Sequence, residues 1–251
     1  MSLLPHLQCR PEQIAERVVV CGDPARVERV AQQLEDVVPL GQNREFRLIN
    51  GRFNGQAITV CSTGIGAPSA VIALEELVQG GVRQLIRVGS AGSLQPQVGL
   101  GDLVVVEGAV RDDGASLAYL PAGYPACADL ALQHGLLDAI RRAGHPLHHG
   151  LIRSHDAFYR DDEDAVCALW HRRGILAADM ESGALLAVGR YRGVRVAAVL
   201  CNVVAWQQGV QEGVADYAAA EPQMLAGVGE HVAIRAALSA LSTAGADVRV
   251  V

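Results

Sequence analysis

The chain has 251 residues, with 27 acidic and 21 basic side chains and a formal net charge of −6. This length fits one large α/β domain, and a hydrophobic fraction of 50% is enough to bury a sizeable core. The acidic balance argues against nucleic-acid or anionic-membrane binding, both of which need a basic face.

Every basic residue is Arg; the chain has no Lys. This excludes a Walker-type phosphate loop in its usual form and a Schiff-base lysine. An anion bound here must be held by Arg, backbone N–H groups or hydroxyls. The six cysteines (Cys9, Cys21, Cys61, Cys127, Cys167, Cys201) show no CxxC pair and no zinc spacing. They read as free, buried thiols in a reducing cytosol. The N-terminus has no basic start followed by an apolar stretch, so no signal peptide is expected and the location is expected to be cytoplasmic. Met1, Ser2 and Leu3 fit a cloning remnant. The uncharged run from Phe53 to Leu74 is broken by Gly, Ser, Thr and Pro68, and is not a membrane helix.

Short β-branched runs alternate with Ala/Leu-rich stretches, the α/β pattern. Arg17–Cys21 predicts a strand and Ala25 to about Leu34 a helix, joined by Gly22-Asp23-Pro24. Arg47–Phe53 and Gln56–Ser62 predict a hairpin around Asn54-Gly55. Ser69–Val78 predicts a helix; Gln84–Val88 and Leu103–Val110 predict strands. Asp129–Ala143 is an amphipathic helix ended by Gly144. A strand at Gly150–Ser154, a loop through Asp161–Asp164 and a short helix follow. Met180–Arg190 is a helix, Val194–Val204 a long apolar strand, and Pro222–Leu241 a closing helix, with the last residues expected to fray. No linker stands out. The expected fold is a single α/β domain over residues 1–251, with a central mixed, twisted β-sheet flanked by helices.

Four segments could carry chemistry. Gly22-Asp23-Pro24-Ala25-Arg26 opens a helix after a strand, which suits an anion; it also suits an ordinary turn with Asp23 as cap. Arg87-Val88-Gly89-Ser90-Ala91-Gly92 puts a charge inside an apolar strand. That charge needs either a buried carboxylate or a bound anion, and the small residues after it let a ligand approach. Thr63-Gly64-Ile65-Gly66-Ala67-Pro68-Ser69 resembles half a dinucleotide fingerprint, but the third Gly and the downstream acid are missing. Ala178-Asp179-Met180-Glu181-Ser182 sets two carboxylates at a helix start, for the helix dipole or for sugar hydroxyls. His6 has no local partner, and the other seven histidines, His145, His148 and His149 among them, read as surface residues without metal spacing.

Together and in this order, these segments resemble the nucleoside phosphorylase family that contains uridine phosphorylase and the hexameric bacterial purine nucleoside phosphorylases. The likeness runs from about His6 to Leu241. It is carried by GDPARVERVA at 22–31, REF at 44–46, CSTGIGAPS at 61–69, IRVGSAGSLQP at 86–96, VRDDGASL at 110–117, YPACAD at 124–129, DAFY at 156–159 and DMES at 179–182. VRDDGASL, YPACAD and DAFY look more like the uridine branch, and IRVGS more like the purine branch.

The resemblance implies reversible cleavage of a ribonucleoside by phosphate, giving free base and ribose 1-phosphate, with no cofactor beyond phosphate as co-substrate. It implies phosphate binding by Gly22, Arg26, Arg87 and Ser90, and by Arg44 of a neighbouring subunit. It implies ribose binding by Met180 and Glu181 and by a neighbour's His6, so that Arg87, Glu181 and His6 form the catalytic set. Phe158 matches the aromatic residue beside base and sugar. Glu45, Ile65 and Ser69 match positions that bind a potassium ion between subunits in some uridine phosphorylases. The implied assembly is a homo-oligomer with a dimer as catalytic unit, commonly a hexamer.

The departures cluster on the base side. Uridine phosphorylases read uracil with a Gln and an Arg after this motif; here Asp162 and Asp164 stand in those places. Carboxylates repel a developing uracil anion but accept hydrogen bonds from exocyclic amino groups. The Asp that purine-cleaving relatives use as an acid is replaced by Val204, and Val203-Val204 is the apolar pattern of the uridine branch. Asn202 suits either a base contact or a structural role, and Asp179 stands where many relatives have Glu. The leading expectation is a uridine-type phosphorylase acting on a nucleoside and inorganic phosphate. The alternatives are a purine nucleoside phosphorylase or nucleosidase with an altered base pocket, and a nucleoside-binding protein without turnover.

Overall fold

The computed structural model describes residues 2–219 and 225–243. The β-branched run Arg17–Cys21 is strand β1, buried on both faces as such runs are in parallel sheets. Asp23 caps the next helix, α1 (Pro24–Ala31), by accepting from Ala25 N–H at 2.8 Å. The helix stops three residues before the expected Leu34. The chain then forms β2 (Glu35–Asn43), a strand the sequence pattern does not announce, followed by β3 (Phe46–Phe53) and β4 (Gln56–Ser62). The β3–β4 turn has Asn54 at φ 49° and Gly55 at φ 75°, the left-handed pair of a two-residue hairpin turn.

Helix α2 (Ala67–Gln79) starts two residues earlier than expected, because Pro68 is tolerated in a first turn. Strand β5 (Gln84–Ser93) runs five residues past its expected end at Val88, and β6 (Leu103–Asp112) also overruns. Short α3 (Gly114–Tyr119) and β7 (Ala126–Cys127) precede α4 (Leu130–Ala143), which Asp129 caps and left-handed Gly144 ends, as the sequence predicts. Then follow β8 (Leu147–His155), α5 (Glu163–His171), β9 (Ala177–Asp179), α6 (Ser182–Tyr191), β10 (Arg195–Val204), α7 (Val210–Ala219) and α8 (Leu225–Thr243). The expected start of the last helix at Pro222 lies outside the described residues, as do residues 244–251.

The strands form one mixed ten-stranded sheet. β1, β4 and β10 run parallel to their neighbours toward β5, while β2, β3 and β4 form an antiparallel meander at the far edge. At the other end the sheet closes on itself: β10 pairs with β6, β6 with β8, β8 with β9, and β9 returns to β5. β10 occupies one edge of β5 for almost its whole length. The opposite edge is shared. β1 pairs there up to Arg87, and β9 takes over at Gly92. Between them lies a stretch of β5 that neither strand covers, the kind of split where α/β sheets place ligands.

The helices α4 and α8 pack together against β10 and β5, and α2, α3 and α6 form a second group. Among the described residues no helix is long and apolar enough to cross a membrane. All six thiols are free. Cys9, Cys21, Cys61 and Cys201 are buried, but Cys167 is half-buried and Cys127 exposed, which corrects the expectation of six buried thiols. His155 also departs from the expected surface placement: it is buried at the end of β8, and that burial lowers its pKa.

Candidate active site

The uncovered stretch of β5 is where the sequence-selected residues converge. Gly22 follows β1, and a Cβ on it would lie 3.2 Å from the Gly64 carbonyl oxygen. The two loops are stitched here, with Gly64 N–H donating to the Gly22 carbonyl at 3.0 Å. Arg26, in the first turn of α1, is buried. It donates to Ser90 Oγ at 2.9 Å, to the Val88 carbonyl at 3.3 Å, and to Glu230 on α8 at 2.7 Å. Arg29 also pairs with Glu230. Burial alone would raise the Glu230 pKa, yet the two guanidiniums hold it below the usual range. Asp23 is thus a cap, as the ordinary-turn reading expects, and Arg26 reaches across to β5.

Arg87 is 3% exposed on β5. An ion buried this deeply costs several kcal/mol unless paired, and two carboxylates pair it. Nε meets Asp179 at 3.0 Å and Nη2 meets Glu181 at 2.5 Å. Gly89 makes this possible: a Cβ there would fall 2.6 Å from Arg87 Nη2 and 2.7 Å from Leu200 Cδ2. Arg87 Nη1 is buried and has no hydrogen-bond partner among the described residues. A buried unpaired donor on a cation is costly, and a bound anion would satisfy it.

Glu181 starts α6. Its second oxygen accepts from the backbone N–H of Gly66 at 2.6 Å. The glycine-rich loop at 63–66 therefore grips a carboxylate rather than a dinucleotide. Burial raises the Glu181 pKa against the pull of Arg87. Asp179 also accepts from Ser182, from N–H at 3.1 Å and from Oγ at 2.6 Å. Met180, half-buried, sits between the two acids.

The residues assigned to a neighbour's site lie elsewhere in this chain. Arg44 is exposed on the β2–β3 turn at φ 54°. His6 Nδ1 contacts Glu76 Oε1 at 2.6 Å. In the loop beside Arg44, Ser69 Oγ donates to Glu45 Oε1 at 2.7 Å and lies 2.6 Å from the Thr63 carbonyl oxygen. The Ser69 bond is the main cause that lowers the Glu45 pKa. The Ile65 side chain is 80% exposed. Glu45 and Ser69, where the resemblance places a potassium ion, are thus bonded to each other.

The base side is built differently. Phe158 is half-buried, edge-on to exposed Tyr159 at 4.9 Å. Asp162 is exposed, and Arg160 engages both of its oxygens at 2.8 and 2.9 Å. Asp164 is exposed. Val203 and Val204 are buried at the end of β10. Asn202 is fully buried, and its amide donates to the Gly99 carbonyl at 2.9 Å, a structural bond.

Sequence reasoning missed Glu230, Glu76 and the buried Arg153, which pairs with Asp112 at 2.8 Å and Glu163 at 3.5 Å. Both missed glutamates fall in apolar helical stripes, Glu76 with Ala73 and Leu77, Glu230 with Ala233 and Ile234. A carboxylate in such a stripe is the signal that could have found them.

The chain matches the family model described as "Phosphorylase superfamily" over residues 16–235. It is 38% identical to a guanosine phosphorylase of Halorubrum lacusprofundi over 203 residues, covering 81% of this chain and 83% of the relative. It is 38% identical to a uridine phosphorylase of Salmonella typhimurium over 206 residues, covering 76% of this chain and 81% of the relative. The crystal structure of uridine phosphorylase from Vibrio fischeri ES114 superposes with a TM-score of 0.90 at 45% identity, over 97% of this chain and 99% of that one. With a buried Arg87–Glu181 pair at the split in its sheet and matches over nearly its full length, the chain belongs to the phosphorylase superfamily.

Proposed function

We propose that the protein is a nucleoside phosphorylase of the uridine-phosphorylase type, a pentosyltransferase that cleaves a ribonucleoside with inorganic phosphate. The observation that carries the reading is Arg87: one guanidinium joins Glu181, the carboxylate this reading gives to the ribose, to a buried Nη1 with no hydrogen-bond partner among the described residues. Phosphate held by Arg87, Arg26, Ser90 and the Gly22 turn lies against the sugar that Glu181 holds. A phosphate oxygen forms a bond to C1′ as the bond from C1′ to the base nitrogen breaks. The electron pair leaves with the base, which takes up a proton. Phosphate stabilises the positive charge that builds on the sugar, so positioning and electrostatics carry the catalysis.

The charges support a shared site. Arg26, Arg29 and Arg87 are matched within the chain by Asp179, Glu181 and Glu230. A phosphate dianion would add negative charge to a balanced cluster, and a further cation offsets it. Exposed Arg44 of a second copy is the residue for that role, with His6 of the same copy on the sugar. The catalytic unit in this reading is a dimer, assembled further into a hexamer, in the cytoplasm. A potassium ion at Glu45, Ser69 and Ile65 would brace the turn that carries Arg44.

Uridine is the first substrate in this reading. The second is a purine nucleoside with an exocyclic amino group, guanosine first. It is favoured by the loop at 160–164, which lacks the uracil-reading Gln and Arg. The test is a base-release assay over uridine, thymidine, cytidine, inosine, adenosine and guanosine, each with and without phosphate. Release of uracil only with phosphate is expected. Release without phosphate would make the protein a nucleosidase, and binding without release would overturn the enzyme reading.

A further inference from the structure

We propose that Glu76 is a positioning residue. From the second half of α2 it fixes the tautomer and direction of His6, so that the ring is presented ready-made to the sugar site of a second copy of the chain. The inference rests on the shared-site reading above.

Glu76 is 5% exposed, a buried carboxylate on a helix that otherwise buries apolar side chains. Among the described residues, its carboxylate is hydrogen-bonded by the segment that carries His6. His6 N–H donates to Oε1 at 3.0 Å and Oε2 at 3.1 Å, and Leu7 N–H donates to Oε2 at 2.9 Å. The His6 ring joins through Nδ1 at 2.6 Å. An ionised carboxylate only accepts, so the Nδ1 that faces it carries a proton. In the neutral ring, Nε2 is then an acceptor, fitted to a sugar hydroxyl. A buried carboxylate holding an imidazole in one tautomer is the arrangement that supports histidines in metal sites and proteases.

Two further contacts fix the direction of the ring. Phe46 meets it edge-on with centroids 6.2 Å apart. Asn43, at the end of β2, donates from Nδ2 to the His6 carbonyl at 2.8 Å. Arg44 follows Asn43 directly, so the two groups offered to the second copy are clamped as one unit. The other end of α2 serves the chain's own site, where Gly66 N–H holds Glu181. One thirteen-residue helix thus carries the anchors of both.

Glu76→Gln keeps an oxygen for the two backbone N–H groups but sets an amide N–H against Nδ1, which reverses the tautomer. The KM for nucleoside should rise about tenfold, the lower end for loss of such a supporting group. The KM for phosphate should stay within about twofold. Glu76→Asp, which keeps the charge, should restore part of the loss. An unchanged nucleoside KM in Glu76→Gln overturns the proposal, as does an equal rise in both KM values. Where Glu76→Gln lowers the yield of folded protein, Glu76→Asp supplies the same split.

Co-expression separates this from the reading beneath it. Differently tagged Glu76→Gln and Glu181→Gln chains are purified as a doubly tagged assembly. The Glu76→Gln chain keeps an intact Glu181 and receives a correctly held His6 from its partner, so a component with the parental nucleoside KM should appear. A uniformly raised KM would show that His6 serves its own chain; the shared site would fall, while the split in the homo-oligomer would still report on Glu76.

Discussion

The phosphate and ribose side of the site contrasts with the base side. On the first, Arg26, Arg87, Asp179 and Glu181 are buried, and each is held by partners far away in sequence. On the second, the acids at the base-reading positions, Asp162 and Asp164, are exposed, and Asp162 is paired with its neighbour Arg160. In the proposed reading, the groups that would act on every nucleoside are wired into the core, whereas the acids that would choose the base are wired to their neighbours or to solvent. Chemistry is therefore coupled to stability here, and selectivity is not.

The largest break of this contrast is Arg87→Ala. It leaves Asp179 and Glu181 buried without their cation, which costs about 3–5 kcal/mol of stability. It should also lower kcat/KM by about a thousandfold, the upper end for losing one key electrostatic group. Urea unfolding and steady-state kinetics measure the two losses; a stable, active variant would refute the coupling. Next is Arg44→Ala, expected to lower phosphate-dependent kcat/KM by roughly a hundredfold with no change in Tm. Unchanged kinetics would refute the shared phosphate site.

Gly89→Ala is more selective. Its methyl group intrudes on Arg87 and Leu200, an overpacking cost of about 1–3 kcal/mol. The KM for phosphate should rise more than the KM for nucleoside, and the reverse order would misplace Arg87. Acid titration gives a smaller effect. Glu230 has a folded pKa below its unfolded value, so its stabilising contribution is present above the unfolded pKa and is lost as pH falls through the folded one. Glu230→Gln should flatten the fall of Tm with acid, and a parallel curve would show that the Arg26–Glu230 pair carries no net stability. The smallest effect is expected from Asp162→Asn: uridine kinetics within about twofold, because Asp162 is an exposed carboxylate already paired with Arg160. A large change in base preference would erase the contrast.

Much of this was legible in the sequence, for reasons that can be stated. RVVVC and the Asn-Gly turn have one physical solution each, and both appear where expected. β2 was not legible. Asp36 at positive φ, Pro39, Gly41 and two register shifts remove the alternation from this largely exposed edge strand. The need of Arg87 for a carboxylate was readable, and so were the acids of DMES. Their pairing across 92 and 94 residues was not, because only the return of β9 to β5 brings them together. Glu76 and Glu230 stayed hidden because their partners lie 70 and 204 residues away in sequence.

The strand beneath Arg87 carries one more consequence. β5 is hydrogen-bonded along one edge by β10 and along the other first by β1 and then by β9. Its backbone amides that pair with β1 and β10 should exchange with solvent deuterium only through global unfolding, while those of residues 157–162 exchange through local opening. Drift in the base-facing loop then costs the rest of the molecule little. An ancestor with this strand could try new bases, one loop residue at a time, without losing the machine that cleaves them.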